Sequence, residues 1–109
     1  MAKKISMQPP CYRTNVAITQ FNRQTGNEIF LLDLDHTGAK LETPFPLSPE
    51  FPVEFSFVLL GASKEIKASG RVLWKRQLIF PPGRYHLRVQ FYVPRWDLER
   101  LLEHGQPIA

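Results

Sequence analysis

A short stretch near the middle of the sequence carries most of the side chains that can do chemistry. Asp33-Leu34-Asp35-His36-Thr37-Gly38 places two carboxylates, an imidazole, a hydroxyl and a glycine within six positions. Such groups serve in acid-base catalysis, bind metal ions, or hold a turn by accepting backbone hydrogen bonds. The stretch follows the apolar residues 29–32, so a strand must deliver it.

Catalysis is not favoured by the spacing. The order Asp35-His36-Thr37-Gly38-Ala39 resembles the Asp-Thr-Gly-Ala of retroviral-type aspartic proteases. In that family the carboxylate adjoins Thr-Gly, so that two copies share a proton across a dimer axis, and here the inserted His36 would turn Asp35 away. Cys11 has no evident base nearby, and the sequence lacks a Gly-x-Ser-x-Gly motif and a Walker-type loop. We predict that the protein is not an enzyme.

A metal or cofactor is not favoured either. Asp33, Asp35 and His36 offer ligands, but the other histidines, at positions 86 and 104, are distant in sequence. The single cysteine can neither close an internal disulfide nor pair with another to bind zinc. We therefore expect no metal and no cofactor, and we expect Asp33 and Asp35 to support a turn by bonding backbone amides.

The composition is that of one folded domain. The chain has 109 residues, 43% of them hydrophobic, which suits a single core. No apolar run approaches the roughly 20 residues of a membrane span, and the amino end lacks the apolar stretch of a signal peptide. We expect a soluble, cytoplasmic protein with no membrane span.

The net charge of +4 is unevenly distributed. Residues 1–27 contain only basic charges, and the segment between Glu65 and Asp97 contains seven arginines and lysines without one carboxylate. Such blocks favour an anionic partner, whether nucleotide, nucleic acid or an acidic protein face. Within the second block we expect Lys67, Arg71 and Lys75, next to Arg88, to form a positive surface strip.

Alternation of apolar and polar residues predicts six short antiparallel strands. Three have clear inward rows, namely Val53, Phe55, Phe57 and Leu59; Ile66, Ala68, Gly70, Val72 and Trp74; and Tyr85, Leu87, Val89 and Phe91. Three earlier strands are predicted at residues 16–22, 28–34 and 39–43. Turns are predicted at residues 24–27, 36–38, 61–63 and 81–83. The proline-rich residues 44–52 must be a connection outside the sheet, crossing one end of the barrel.

After Pro94 the spacing becomes helical, and we expect a helix from Arg95 to His104 that packs through Leu98, Leu101 and Leu102. Trp74 and Trp96 are expected in the core. The fold class is therefore all-β and mainly antiparallel, a six-stranded Greek-key-like β-barrel with a short C-terminal helix. Its expected divisions are a basic, flexible tail at residues 1–12, the barrel domain with its helix at 13–104, and a tail at 105–109.

Several motifs, in order, resemble the PilZ domain family of small bacterial β-barrels that act as receptors for cyclic di-GMP. The turn Asp33-Leu34-Asp35-His36-Thr37-Gly38 is similar to the family's Asp/Asn-x-Ser-x-x-Gly, and Arg13 resembles the second arginine of its Arg-x-x-x-Arg. Residues 68–74 look like its Gly-x-Val-x-Trp strand, and residues 85–91 look like its closing strand. The similarity spans roughly residues 9–104.

The resemblance implies a ligand site and also a weakened one. It implies contacts to cyclic di-GMP from Arg13 and the Asp33–Gly38 turn, including Asp35, His36 and Gly38. Tyr12 adjoins Arg13 and would either stack on a guanine or pack on the outside of the first strand. Pro9 stands where the family's first arginine belongs and has no charge. Asp35 replaces the serine, which brings a carboxylate near an anionic ligand. Cyclic di-GMP binding is therefore expected to be weak or modified.

Two other functions remain open. The resemblance also implies an adaptor that has lost the nucleotide and binds a protein of the motility, type IV pilus or biofilm machinery, with Phe45, Leu47 and Phe51 as candidate contacts or as caps of the barrel end. A basic barrel that binds nucleic acid is less favoured. It would use Arg71, Lys75, Arg76, Arg84 and Arg88 on phosphates, and Tyr85 or Tyr92 on bases.

Overall fold

The computed structural model describes residues 12–26, 28–58 and 65–104, with side chains for 16–26, 28–58 and 65–101. The elements are β1 (Tyr12–Phe21), β2 (Phe30–Leu34), β3 (Gly38–Thr43), β4 (Pro52–Phe57), β5 (Ile66–Gln77), β6 (Tyr85–Phe91) and α1 (Trp96–His104). The strands pair antiparallel in a closed barrel of order β1-β2-β3-β6-β5-β4. This confirms the predicted all-β, six-stranded barrel with a short C-terminal helix.

The alternating rows supply the core, as predicted. The largest fully buried side chains among the described residues are Ile29, Leu31, Leu34, Leu41, Thr43, Val53, Phe55, Phe57, Val72, Leu87, Val89 and Leu98. Leu98 belongs to α1, so the helix covers the barrel through this residue, and Leu101 packs beside it. Burial of each large apolar side chain contributes about 1.5 to 3 kcal/mol to folding. These rows are the main source of the stability of the barrel.

The proline-rich connection between β3 and β4 covers part of the core. Phe45 and Leu47 are half-buried and pack against the core cluster, as expected of residues that cap a barrel end. Phe51 is more exposed. Pro52 lies in β4 and not in the connection, at the first position of the strand, where proline is tolerated.

Both tryptophans are on the surface, and their predicted core positions are wrong. Trp74 is 42% exposed because the β5–β6 register shifts between Val72 and Trp74, and this irregularity turns Trp74 outward. Trp96 is 53% exposed and begins α1, where its ring stacks on His36. A strict alternation from Ile66 onward could not anticipate the shift.

Two glycines let neighbouring strands approach β6 closely. Gly38 of β3 pairs with Gln90, and Gly70 of β5 pairs with Phe91. A Cβ atom on Gly38 would overlap the carbonyl oxygen of Val89, and one on Gly70 would overlap that of Gln90. Neither position has space for a side chain.

Other boundaries differ slightly from the sequence predictions. β1 begins at Tyr12, before the predicted start at residue 16, and β2 begins at Phe30, after the predicted start at residue 28. The hairpin at residues 81–83 joins β5 to β6 as predicted. The turn at 61–63 and the side chains of Leu59 and Leu102 lie outside the described residues. Within the described part of the chain, no helix is long and apolar enough to cross a membrane.

Candidate functional site

The turn between β2 and β3 is organised around the carboxylate of Asp35. This side chain is buried, and its Oδ1 accepts hydrogen bonds from the Thr37 amide at 2.7 Å, the Thr37 hydroxyl at 2.6 Å and the Gly38 amide at 2.9 Å. Nη2 of Arg88 lies 3.4 Å from Oδ2 and donates to the Thr37 hydroxyl oxygen at 3.2 Å. Asp35 therefore holds the turn, as expected, whereas Asp33 forms an ion pair with Lys40 at 3.6 Å.

These partners keep Asp35 ionised. Burial by itself would raise the pKa of Asp35, but the hydroxyl and amide of Thr37, the charge of Arg88 and the amide of Gly38 together lower it below its ordinary value of 3.8. The carboxylate is stabilised by the donors around it. Its negative charge is therefore largely compensated by donors within the protein.

The lowered pKa of Asp35 predicts an acid-sensitive fold. A group whose pKa is depressed in the folded state stabilises the protein above its unfolded pKa, and this contribution disappears as pH falls through the folded value. The wild-type free energy of unfolding should therefore drop below about pH 4, and Asp35→Asn should give a flatter profile in that range. At neutral pH the variant should be less stable by about 1 to 2 kcal/mol, since charge-assisted hydrogen bonds become neutral ones.

Chemical denaturation at a series of pH values measures this difference. Some slope should remain in the variant, because hydrogen bonding to Arg95 lowers the pKa of Asp97 as well. Identical slopes for the two proteins would show that Asp35 does not carry the acid sensitivity.

Strand pairing aligns five residues into one row across the barrel. Arg13 pairs with Asp33, Asp33 with Lys40, Lys40 with Arg88, and Arg88 with Trp74. Directly paired residues of neighbouring strands share a face. We call Arg13, Asp33, Lys40, Arg88 and Trp74 the outer row; Asp33, Lys40, Arg88 and Trp74 are all partly exposed, and Arg13 is placed by its backbone register.

The outer row is electrostatically positive. Lys40 and Arg88 are opposed directly, and like charges in that arrangement are destabilising unless something compensates them. Asp33 and Asp35 compensate in part, one on each side. In the neighbouring row, burial together with the charges of Lys40 and Arg76 lowers the pKa of His86.

A shallow depression of about 370 Å³ adjoins the turn at Thr37. Its lining includes Thr37, Arg71, Gln90 and Tyr92. The Arg71 guanidinium donates to Gln90 at 2.9 Å and to Glu50 at 3.1 Å, which fixes its orientation. A volume of this size lies at the lower end of the range for small-ligand pockets, ~300 to 1,000 Å³. The depression extends the polar surface of the turn.

His36 connects the turn to the C-terminal helix. Its ring stacks on Trp96 at a centroid distance of 3.7 Å, and its carbonyl accepts a hydrogen bond from the Arg95 amide at 2.8 Å. Nδ1 of His36 lies 3.2 Å from Oε1 of the buried Glu99, without hydrogen-bonding geometry. His36 thus anchors α1 against the turn and is itself mostly buried.

The structure brings together most of the residues predicted for the site. Asp33 is in the outer row, while Asp35, His36 and Gly38 form the adjoining turn. The backbone of β1 places Tyr12 opposite Leu34 and Arg13 opposite Asp33. The side chains of Tyr12 and Arg13, and the whole of Pro9, lie outside the described residues.

The predicted positive strip is correct only in part. The shift in β5 pairs Lys75 with Leu87, so Lys75 leaves the face that carries Arg88 and donates to the carbonyl of Pro46. Four of the five arginines of the basic block are engaged by carboxylates: Arg71 by Glu50, Arg84 by Glu42, Arg88 by Asp35 and Arg95 by Asp97. This reduces the charge available for a nucleic-acid backbone.

Sequence reasoning missed three members of the outer row as site residues. Lys40 was not singled out, Arg88 was assigned to a general strip, and Trp74 was assigned to the core. The alternation along β6 predicts that Arg88 faces outward, because it lies between the inward residues Leu87 and Val89. Its partner on β5 depends on the register shift and could not be read from the sequence.

One of the three comparisons with known proteins identifies a family. The described residues contain no cluster of three or more His, Cys, Asp or Glu side chains that could hold a metal ion. The search of curated proteins and the search of solved structures each found no significant match. The scan of protein families found the PilZ domain over residues 10–104. Because this match covers most of the sequence, the chain belongs to the PilZ domain family, a family of regulatory domains related to cyclic di-GMP.

Proposed function

We propose that this PilZ domain binds cyclic di-GMP in a modified way, through Arg13, the Asp33–Gly38 turn and the rest of the outer row. The observation that carries the proposal is the direct opposition of Lys40 and Arg88 across β3 and β6. Each cation is also paired with a carboxylate, Lys40 with Asp33 and Arg88 with Asp35, and a phosphate placed between the two cations adds an anion that both of them attract. The ligand supplies two phosphates, and guanidinium groups bind phosphate through forked, charge-assisted hydrogen bonds.

Two exposed aromatic side chains lie near the arginines of this region. Trp74 pairs with Arg88 at the end of the outer row, and Tyr92 lines the depression together with Arg71, each about half exposed. Purine bases stack on such side chains, with a contribution of about 1 to 3 kcal/mol per base. The outer row and the depression together offer cations for phosphates and rings for bases, as a dinucleotide requires.

In the proposed binding mode the carboxylate of Asp35 does not repel the ligand, in contrast to the expectation from the sequence. Oδ1 of Asp35 already accepts three hydrogen bonds from the turn, and Arg88 lies beside Oδ2. The amides of Thr37 and Gly38 are therefore used by Asp35. Phosphate binding falls instead to the side chains of the outer row, with Arg13 replacing the pair of arginines found in a complete motif.

Calorimetric titration with cyclic di-GMP tests the proposal. Arg13→Ala should weaken binding by tens to thousands of fold, because loss of one charged contact to a phosphate costs about 2 to 5 kcal/mol. Arg23→Ala is the matched control, since Arg23 is also an arginine near the amino end but is 88% exposed and reaches Glu54 only at 3.9 Å. Its affinity should equal that of the wild type.

No heat at millimolar ligand, with the protein shown to be folded, would contradict receptor function. So would equal effects of the two arginine substitutions, because binding would then follow total charge and not the outer row.

We propose a protein-binding adaptor as the second candidate, on one specific observation. Tyr92, Val93 and Trp96 are each more than half exposed and lie together in sequence where β6 leads into α1. Large apolar side chains grouped on a surface are typical of protein contacts. The earlier candidates Phe45 and Leu47 are packed against the core and are not available. A partner from motility, pilus or biofilm machinery would fit this function.

A further inference from the structure

The hairpin between β5 and β6 ends in an apolar tip that faces solvent. Ile79 is 95% exposed and Phe80 is 85% exposed, more than any other large apolar side chain in the described part of the protein. We propose that this tip docks the domain onto an anionic lipid bilayer. Ile79 and Phe80 enter the apolar boundary of the bilayer while nearby cations contact the headgroup phosphates. This inference goes beyond ligand binding and does not depend on it.

The tip is fixed to the barrel at its base. The amide of Leu78 donates to the carbonyl of Arg84 at 2.9 Å, which closes the loop. The guanidinium of Arg84 donates to a Glu42 carboxylate oxygen at 3.1 Å and to the Glu28 carbonyl at 2.6 Å. Exposed apolar side chains on an anchored loop lose little conformational freedom on binding. The fold itself therefore holds Ile79 and Phe80 in exposed positions at the tip.

The chemistry of the tip favours a bilayer over a protein pocket. From Leu78 to Gly83 the sequence Leu-Ile-Phe-Pro-Pro-Gly has no side chain that donates or accepts a hydrogen bond. Pro81 and Pro82 also lack the backbone N–H. Protein interfaces are specified by directional hydrogen bonds at the rim of an apolar anchor, whereas attachment at the surface of a bilayer depends on buried apolar area and on attraction to anionic headgroups. A loop without polar side chains suits the second environment.

The charges around the tip match an anionic surface. Residues 75–85 include Lys75, Arg76 and Arg84 and no acidic residue. Arg84 is paired with Glu42, but Lys75 and Arg76 are exposed at the end of β5, and the ammonium of Lys75 donates to a backbone carbonyl. Basic residues close to an apolar anchor strengthen attachment to membranes rich in anionic lipid.

The topology orients the docked domain. Thr43 pairs with Tyr85 near the tip, whereas Gly38 pairs with Gln90 at the far end of the same two strands. The Asp35 turn and the amino end of α1 are therefore at the end of the barrel away from the tip. A domain attached through Ile79 and Phe80 keeps the turn accessible to water.

Sedimentation with lipid vesicles tests the proposal. The wild-type chain should bind vesicles of equal parts phosphatidylcholine and phosphatidylglycerol, and binding should be weak on phosphatidylcholine alone. Ile79→Ser combined with Phe80→Ser should reduce the partition constant at least tenfold, because full burial of each such side chain contributes about a tenfold to hundredfold. Val58→Ser is the matched control and should bind as the wild type does, because Val58 is an exposed apolar residue next to Phe57, which pairs with the start of β5, away from the tip.

Two further experiments test the contribution of charge to vesicle binding and the depth to which the tip inserts. Lys75→Gln with Arg76→Gln should weaken binding to the anionic vesicles, whereas Lys67→Gln, at the other end of β5, should not. Phe80→Trp should be quenched by brominated lipid more strongly than the tryptophans of the wild type. Thermal unfolding verifies that every variant is folded, as expected for exposed positions.

Three results would overturn the proposal. The first is absence of wild-type binding to the anionic vesicles at low salt. The second is binding that the double serine variant leaves unchanged, which would reduce the contact to charge alone. The third is a protein pocket that accepts the tip in the absence of any vesicle binding, since the occupant would then be a protein.

Discussion

Replacing Gly38 with alanine should abolish or severely weaken the cooperative unfolding transition of the domain. The new Cβ would overlap the carbonyl oxygen of Val89, a backbone atom of the neighbouring strand. Strand β6 cannot yield there without also moving against Gly70, which faces it from β5. We expect a loss of about 3 kcal/mol or more, a large part of the 5 to 15 kcal/mol typical of a small domain.

Gly83→Ala is the matched control for this substitution. Gly83 has a positive φ of 80°, but an added Cβ would meet no atom within 4 Å. The cost there is conformational only, about 1 to 2 kcal/mol. Denaturant titration of both variants checks the prediction, and a Gly38→Ala protein as stable as the Gly83→Ala protein would contradict it. The glycine of the turn motif would then have a role other than strand packing.

Arg88→Gln should cause a loss of cyclic di-GMP affinity as large as that expected for Arg13→Ala. Arg88 lies in the outer row between Lys40 and Trp74, and it also touches Asp35. The substitution removes one cation, so the neutral pair of Arg88 and Asp35 becomes a single negative charge beside the ligand. We expect affinity to fall by about 2 to 5 kcal/mol, that is, tens to thousands of fold.

Arg76→Gln is the control for loss of charge on the same face. Arg76 pairs with His86 in the next row and is exposed. Titration of both variants, after their unfolding free energies have been measured, separates the ligand effect from stability. A stable Arg88→Gln protein that binds as tightly as Arg76→Gln would show that the outer row does not form the site.

The sequence was sufficient for the strands because each has one buried face. The rows that contain Phe55 and Val89 alternate without interruption, and a helix would have scattered them around its circumference. The turn at Asp35 was also predictable, since an aspartate two residues before Thr37 bonds its amide in many turns. Local chemistry determined these features.

The sequence predictions were wrong or incomplete where contacts between distant segments determine the position of a side chain. The register shift after Val72 follows from how β5 fits against β6, and it moved Trp74 from the core to the outer row. Arg88 and Asp35 are 53 residues apart, so nothing local indicates their ion pair. Trp96 has apolar character but binds His36 at the surface, because Leu98 already fills the space beneath α1.

Because the barrel is closed, the residues available to bind a partner are different from those that form the core. Every strand has a strand on each side in the order β1-β2-β3-β6-β5-β4, so the sheet offers a partner little unpaired backbone to extend. Ligands and partners must instead be recognised by outward side chains, which contribute little to the core. Outward residues such as Trp74 and Phe80 can therefore be exchanged while the same buried residues keep the domain folded.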